Sequence, residues 1–220
     1  MSWQALNPWR DLAGLPRSLW VLSFATLVNR AGTMVLPFLT LHLTRNLGLG
    51  PARAGQAVAF YGLTSLVTSP FVGRLGDRWG ALRVARASLA GSALVLVALP
   101  LARDFASTVA LLILLASLSE AVRPTTLALV GSLAPPERRR PAFALNRLAV
   151  NLGMSVGPAL GGLLADVSFG ALFVIDGLTS LLAALALGFV RADEGYDAGA
   201  QAASEAGGRA EGEAGSRAAG

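Results

Sequence analysis

The chain has 220 residues, 54% apolar and only 14% charged, where soluble domains carry roughly 25% charged residues. That balance excludes an ordinary soluble domain and points to a polytopic membrane protein. All 18 basic residues are Arg and there is no Cys, so disulfides, thiolate metal sites and Cys nucleophiles are excluded. One His, His42, leaves no room for a His-based metal centre, and no cofactor is expected. In a soluble protein the net positive charge would suggest nucleic acid. Here the Arg fall in short stretches between apolar runs, where they orient a chain in a bilayer, so no nucleic-acid partner is expected.

In chain order, positions 1–18 form a polar lead with Trp3, Trp9, Arg10 and Arg17, suited to lying on the cytoplasmic face of a membrane. Six apolar runs follow: Leu19–Leu43, about Ala54–Val72, Leu82–Leu101, Phe105–Leu133, Pro141–Ala165 and Phe169–Val190. Each reaches the roughly 20 residues a spanning helix needs. The first is too long for a signal-peptide core and lacks a small-x-small exit, so no cleavage is expected. Positions 19–191 therefore predict an all-α bundle of six transmembrane helices. With the N-terminus inside, Arg10, Arg17, Arg74, Arg78, Arg83, Arg86, Arg138, Arg139, Arg140 and Arg191 are cytoplasmic. Only Arg45, Arg53 and Arg103 fall outside, a bias that sets the topology with both termini in the cytoplasm. Positions 192–220 are rich in Ala, Gly, Glu and Ser without apolar periodicity, and predict a disordered tail.

Between the second and third runs lies Gly73–Val84, GRLGDRWGALRV. A helix is expected to end at Gly73, whose missing side chain would let a neighbouring helix approach. Asp77 is expected just ahead of the next helix, at the positive end of its dipole, and Arg74, Arg78 and Arg83 make the turn cationic. Gly73, Asp77, Arg78, Gly80 and Arg83 in the pattern G-x-L-x-D-R-x-G-x-x-R resemble the loop between helices 2 and 3 of the major facilitator superfamily of secondary transporters. Ala81 and Leu82 depart from the small or basic residues usual after the second Gly.

That loop recurs. Gly73-x-Leu75-x-Asp77-x-x-Gly80-Ala-Leu matches Gly162-x-Leu164-x-Asp166-x-x-x-Gly170-Ala-Leu with one residue inserted. Three helices per copy would put the loops on opposite faces, as in the inverted three-plus-three repeat of each transporter half; chance likeness of two Gly-rich loops is the competing reading. In the fifth run, Gly153, Gly157, Gly161 and Gly162 make a stripe of small residues that lets helix backbones touch, and Pro158 removes a backbone donor and bends the helix. This looks like the fifth-helix motif of the drug–proton antiporter branch, with Ala144 where the pattern has an earlier Gly. Generic helix packing is the plainer reading of it. Pro135-Pro136-Glu137-Arg138-Arg139 also matches the family's loop before that helix.

Charges in mid-membrane are costly and mark function by default. Arg30, beside Asn29, lies about eleven residues into the first run, roughly 16 Å deep. Glu120 and Arg123 in the fourth run are three apart and share a face. The resemblance implies that helices 1 and 4 line the central cavity, which makes Asn29, Arg30, Glu120 and Arg123 the candidates for substrate and proton coupling. A structural ion pair of Glu120 with Arg123 or Arg30 is the competing reading. The family's cavity Arg falls near Leu112 here. Asp176, in the peripheral sixth helix, is expected as a structural partner or in a watery niche, Asn146 and Asn151 as bridges between helices, and His42 at the interface.

No G-x-S-x-G occurs and His42 is at the wrong end of its helix for an intramembrane serine protease, so no enzyme is expected. The resemblance implies the amino-terminal half of a twelve-helix transporter, with proton-coupled efflux of a small molecule across a bacterial inner membrane. The expected partners are the lipid bilayer, a small-molecule substrate, protons as coupling ion, and a missing C-terminal half or a homodimer partner. The Gly153–Gly162 stripe is expected to lack, in one half alone, the helix that it receives. A non-transporting six-helix membrane protein remains open at this point.

Overall fold

The computed structural model describes residue 12 and residues 14–190, and at 166 and 167 the backbone alone. Most of the polar lead and all of the 192–220 tail lie outside the described residues. The rest is helical: α1 Arg17–Gly32, α2 Val35–Arg45, α3 Pro51–Trp79, α4 Ala81–Ala98, α5 Phe105–Leu133, α6 Arg139–Val167 and α7 Phe169–Ala186, with single 3-10 turns at Leu99–Leu101, Pro136–Arg138 and Leu187–Phe189.

The first apolar run is two helices, a correction to the single helix expected. α1 stops at Gly32, and Thr33 leaves helical geometry at φ −69°, ψ 73°. Pro37 stands in the first turn of α2 and has no N–H to give the Thr33 carbonyl, so the ladder cannot run through. The freed amides are met from another helix: Met34 N and Val35 N each donate to Asp176 Oδ2 of α7 at 3.3 Å. Irregular backbone at membrane depth is tolerated where protein groups satisfy it in this way.

Among the described residues five segments are long and apolar enough to cross a membrane: Arg17–Arg45, Ala81–Leu101, Phe105–Leu133, Pro136–Ala165 and Phe169–Phe189. α3 has the length, with 29 residues, but Gln56, Tyr61, Thr64, Ser65, Thr68 and Ser69 dilute its apolar character. Large side chains nevertheless cover the outside of the bundle, among them Leu66 on α3 at 72% exposed, Leu94 at 74% and Phe189 at 78%. Exposed apolar surface on this scale fits a protein that faces lipid.

The expected loop at Gly73–Val84 is also corrected. α3 runs unbroken through Gly73 to Trp79, and Gly80 alone separates it from α4. Gly80 has φ +86°, a conformation that favours glycine. Asp77 therefore occupies the exposed last turn of α3 and does not precede α4 as a free residue. Among the described residues nothing lies within 4 Å of a Cβ placed on Gly73; the approach to a neighbour comes at Gly76, 3.7 Å from Thr125 Cγ2 of α5. The second copy behaves alike. α6 runs to Val167, and Ser168 alone joins it to α7. Ser168 is extended, and its hydroxyl accepts from Ala171 N at 3.4 Å.

Two apolar clusters close the ends of the bundle. One joins Leu19, Leu22, Leu89, Val130, Leu133 and Leu187. The other joins Val35, Leu39, Leu43, Val95, Leu99, Leu112 and Phe173. α4 packs along α7 through the middle, with α5 on α3 and α4, and α1 on α6 and α7. His42 is only 5% exposed, set edge-on to Phe173 at 4.7 Å. Asp104 caps α5 by accepting from Ser107 N and Ser107 Oγ, both at 2.8 Å. Those bonds hold its carboxyl below the usual carboxylate range.

Candidate functional site

Between the two apolar clusters lies a cavity of about 210 Å³. Asn29 and Arg30 reach it from the last turn of α1, Thr33 from the break, and Tyr61 from α3. Ser119, Glu120 and Arg123 reach it from α5, Asp176 and Ser180 from α7. All four residues singled out in the sequence for substrate and proton coupling thus meet in one place, although they come from stretches about ninety positions apart. Glu120 and Arg123 do so because a spacing of three keeps both on the inward face of α5.

The hydrogen bonding is uneven. Asn29 Nδ2 donates to Ser180 Oγ at 3.2 Å. Asp176 is committed to the α2 amides, and the Thr33 hydroxyl donates to the Asn29 carbonyl at 3.0 Å. Arg30 Nε, in contrast, is buried with no hydrogen-bond partner, as is Ser92 Oγ. A buried donor without a partner among the described residues is costly in apolar surroundings.

A second cavity, about 740 Å³, shares Asn29, Arg30 and Arg123 with the first and extends towards α6. Arg147, Asn146, Asn151, Phe143 and Met154 line it there. Asn146 Oδ1 is buried without a partner, so the bridge between helices expected of this residue is not made by that oxygen.

The Gly stripe of α6 packs against α1 and α2. A Cβ on Gly153 would sit 2.5 Å from Arg30 Cβ and 2.9 Å from both Ala31 N and Leu27 O. One on Gly157 would meet the Ala31 carbonyl at 3.0 Å, and one on Gly161 the Phe38 ring at 2.8 Å. The expectation that this stripe lacks its helix within one half is therefore wrong: α1 of the same bundle fills it. Gly162 lies at the edge, 3.9 Å from Phe38, and Pro158 is inside α6 without ending it. Because backbone atoms bar the added methyl, Gly153→Ala should destabilise the bundle by about 1–3 kcal/mol, the usual cost of overpacking. Thermal unfolding in detergent reads this, and an unchanged midpoint would mean that α1 and α6 do not touch there.

The residues of the G-x-L-x-D-R-x-G-x-x-R pattern stand apart from both cavities, exposed at the α3–α4 joint. Tyr61, Ser119 and Ser180 were not singled out in the sequence, since hydroxyls on apolar helices carry no pattern of their own. Asp176 was read as a structural partner and is one. That it also lines the cavity follows from the α1–α2 break, which Gly32 and Pro37 together signal.

The Major Facilitator Superfamily model matches residues 20–215. The chain belongs to this family. It is similar to the MFS-type transporter YttB of Bacillus subtilis, named as uncharacterised, at 29% identity over 169 residues, covering 76% of this chain and 42% of YttB. It is also similar to the quinolone resistance protein NorA of Staphylococcus aureus, at 25% identity over 168 residues, 76% of this chain and 43% of NorA. The matched region thus spans less than half the length of these relatives. As a member of the superfamily the chain is an integral membrane protein of a transporter family. Its half-buried Arg30 and Glu120 sit where a membrane helix bundle would otherwise be apolar.

Proposed function

We propose that this chain is the amino-terminal half of a proton-coupled secondary transporter that moves a small molecule outward. In this reading Asn29, Arg30, Glu120 and Arg123 form the wall that it contributes to the transport path. What carries the reading is the convergence of these four residues on one cavity at the middle of the bundle. Glu120 is the proton-coupling group, and Arg30 and Arg123 set the charge of the site. The second half, or a second copy of the chain, supplies the facing wall, because alternating access rocks two bundles about a site between them.

The six crossings form an inverted three-plus-three repeat in this proposal, with α1 and α2 together as the first crossing and α3 as the second. Element lengths support it. α3 and α6 have 29 residues each, with Pro70 and Pro158 both at the twentieth position. Each is followed by a one-residue joint, an 18-residue helix and a 3-10 turn of 3 residues. The packing supports it too, since α5 lies on α3 and α4 as α1 lies on α6 and α7. Arg74 and Arg78 of the first copy, against Leu163 and Val167 of the second, put the first joint in the cytoplasm and the second outside. The exposed α3–α4 joint, with Gly73, Asp77, Arg78, Gly80 and Arg83, is the conformational switch that turns at the left-handed Gly80.

The absence of Cys makes single Cys probes clean. Gly48 and Gly80 both have positive φ, so the exposed neighbours Asn46 and Arg78 are the better sites. Arg78→Cys should react with impermeant thiol reagents only from the cytoplasm, and Asn46→Cys only from outside. Labelling of both from one side would overturn the six-crossing topology.

A further inference from the structure

The larger cavity carries a charge imbalance that bears on the class of substrate. Three guanidinium-bearing residues line it, Arg30, Arg123 and Arg147, and among the described residues lining it there is no Asp or Glu. The carboxylates of the region, Glu120 and Asp176, line the smaller cavity instead. Asp176 is hydrogen-bonded to the Met34 and Val35 amides, so the region sets three guanidinium groups against two carboxylates, neither of which lines the larger cavity. Arg30 Nε is buried with no hydrogen-bond partner among the described residues. Cations gathered at membrane depth without matching acids are stabilised by an anion, which a guanidinium holds through charge-assisted hydrogen bonds. Leu127, Phe143 and Met154 add apolar surface beside the amides of Asn29, Asn146 and Asn151, and about 740 Å³ suits a small organic molecule.

We propose that the larger cavity binds an amphipathic organic anion, with a carboxylate or sulfonate on Arg123 and Arg147 and an apolar body against Phe143 and Met154. The proposal rests on the transport reading, whose substrate it names by class. Arg30 faces the anion from behind, its stem fixed against Gly153 of α6.

The test is binding to the purified 220-residue chain in nanodiscs of phosphatidylcholine, by equilibrium dialysis. Three probes share one ring system and differ in charge: naphthalene-1-acetate, naphthalene-1-acetamide and 1-naphthylmethylamine. The acid should be retained most strongly and the amine least. Arg123→Gln and Arg147→Gln should each weaken the acid about tenfold, the loss of a charge-assisted hydrogen bond, and leave the amide unchanged. The amide thereby reports that each variant is folded, and a variant that also loses the amide is replaced by the Lys substitution, which should keep part of the acid binding. Equal retention of the three probes, preference for the amine, or retention of none overturns the assignment. Replacing the lipid with phosphatidylglycerol should leave acid binding intact; displacement would give the site to an anionic lipid headgroup and also overturn it. No flux is measured, so this experiment can fail while the Cys labelling upholds the topology, and the reverse.

Discussion

Asp176→Ala should lower the stability of the purified chain by about 1–3 kcal/mol. Each buried amide left unpaired costs about 1–3 kcal/mol, and water entering from the cavity recovers part of that. The amide at stake is Val35 N, 3.3 Å from the carboxylate oxygen; Met34 N, at the same distance, also donates to the Gly32 carbonyl at 2.6 Å and keeps that partner. They open α2 immediately after the break, and Pro37 prevents α1 from reclaiming the segment as a continuous helix. Asp176→Asn should keep much of the stability, since its amide oxygen can still accept. Chemical denaturation in detergent, with hydrogen exchange at residues 34 and 35, checks both variants. An Ala variant as stable as the parent, with exchange unchanged, would mean that the break is held by the backbone alone.

Glu120→Gln should abolish proton-coupled movement in a full-length transporter carrying this half, while insertion and folding persist. Gln has nearly the same shape and cannot give up a proton, so the change removes the coupling and little else. Glu120 is half-buried beside Arg30, Arg123 and Tyr61, and no competing acid in that cavity is free of the backbone. The loss should be complete in a proton-flux assay and absent from a downhill exchange assay that needs no proton. Arg30→Ala should instead weaken substrate binding or loosen α1 from α6. Normal coupled transport in both variants would make these charges structural.

Membrane character, the helical class and the family were legible in the sequence because bilayer thickness dictates the length of apolar runs and because short motifs recur with little variation. The site was legible for a related reason. A charge in mid-membrane is costly enough that Arg30, Glu120 and Arg123 stand out singly, and their meeting at one cavity needed only the bundle to bring α1 and α5 face to face. The break after Gly32 was not read, because apolar composition continues across it and composition does not register where backbone amides find partners. Asp176 was placed correctly as a structural partner, but its helix was taken as peripheral when it runs alongside the cavity. The Gly153–Gly161 stripe showed that a helix would come close without showing which one. The α3–α4 joint was drawn too wide, since Gly and Arg within a helix look like a loop until Gly80 is seen to be the one position within 73–84 with positive φ.

One wall of a path cannot by itself alternate between two faces, and that is the centre of the account. The direct measurement is the mass of the 220-residue chain in a lipid environment, taken together with flux in proteoliposomes, using ethidium and naphthalene-1-acetate as cationic and anionic probes. The account predicts no sustained flux of either probe from protein shown to be monomeric, with any flux confined to fractions of dimeric mass. Sustained, saturable flux of either probe from the monomer would contradict it.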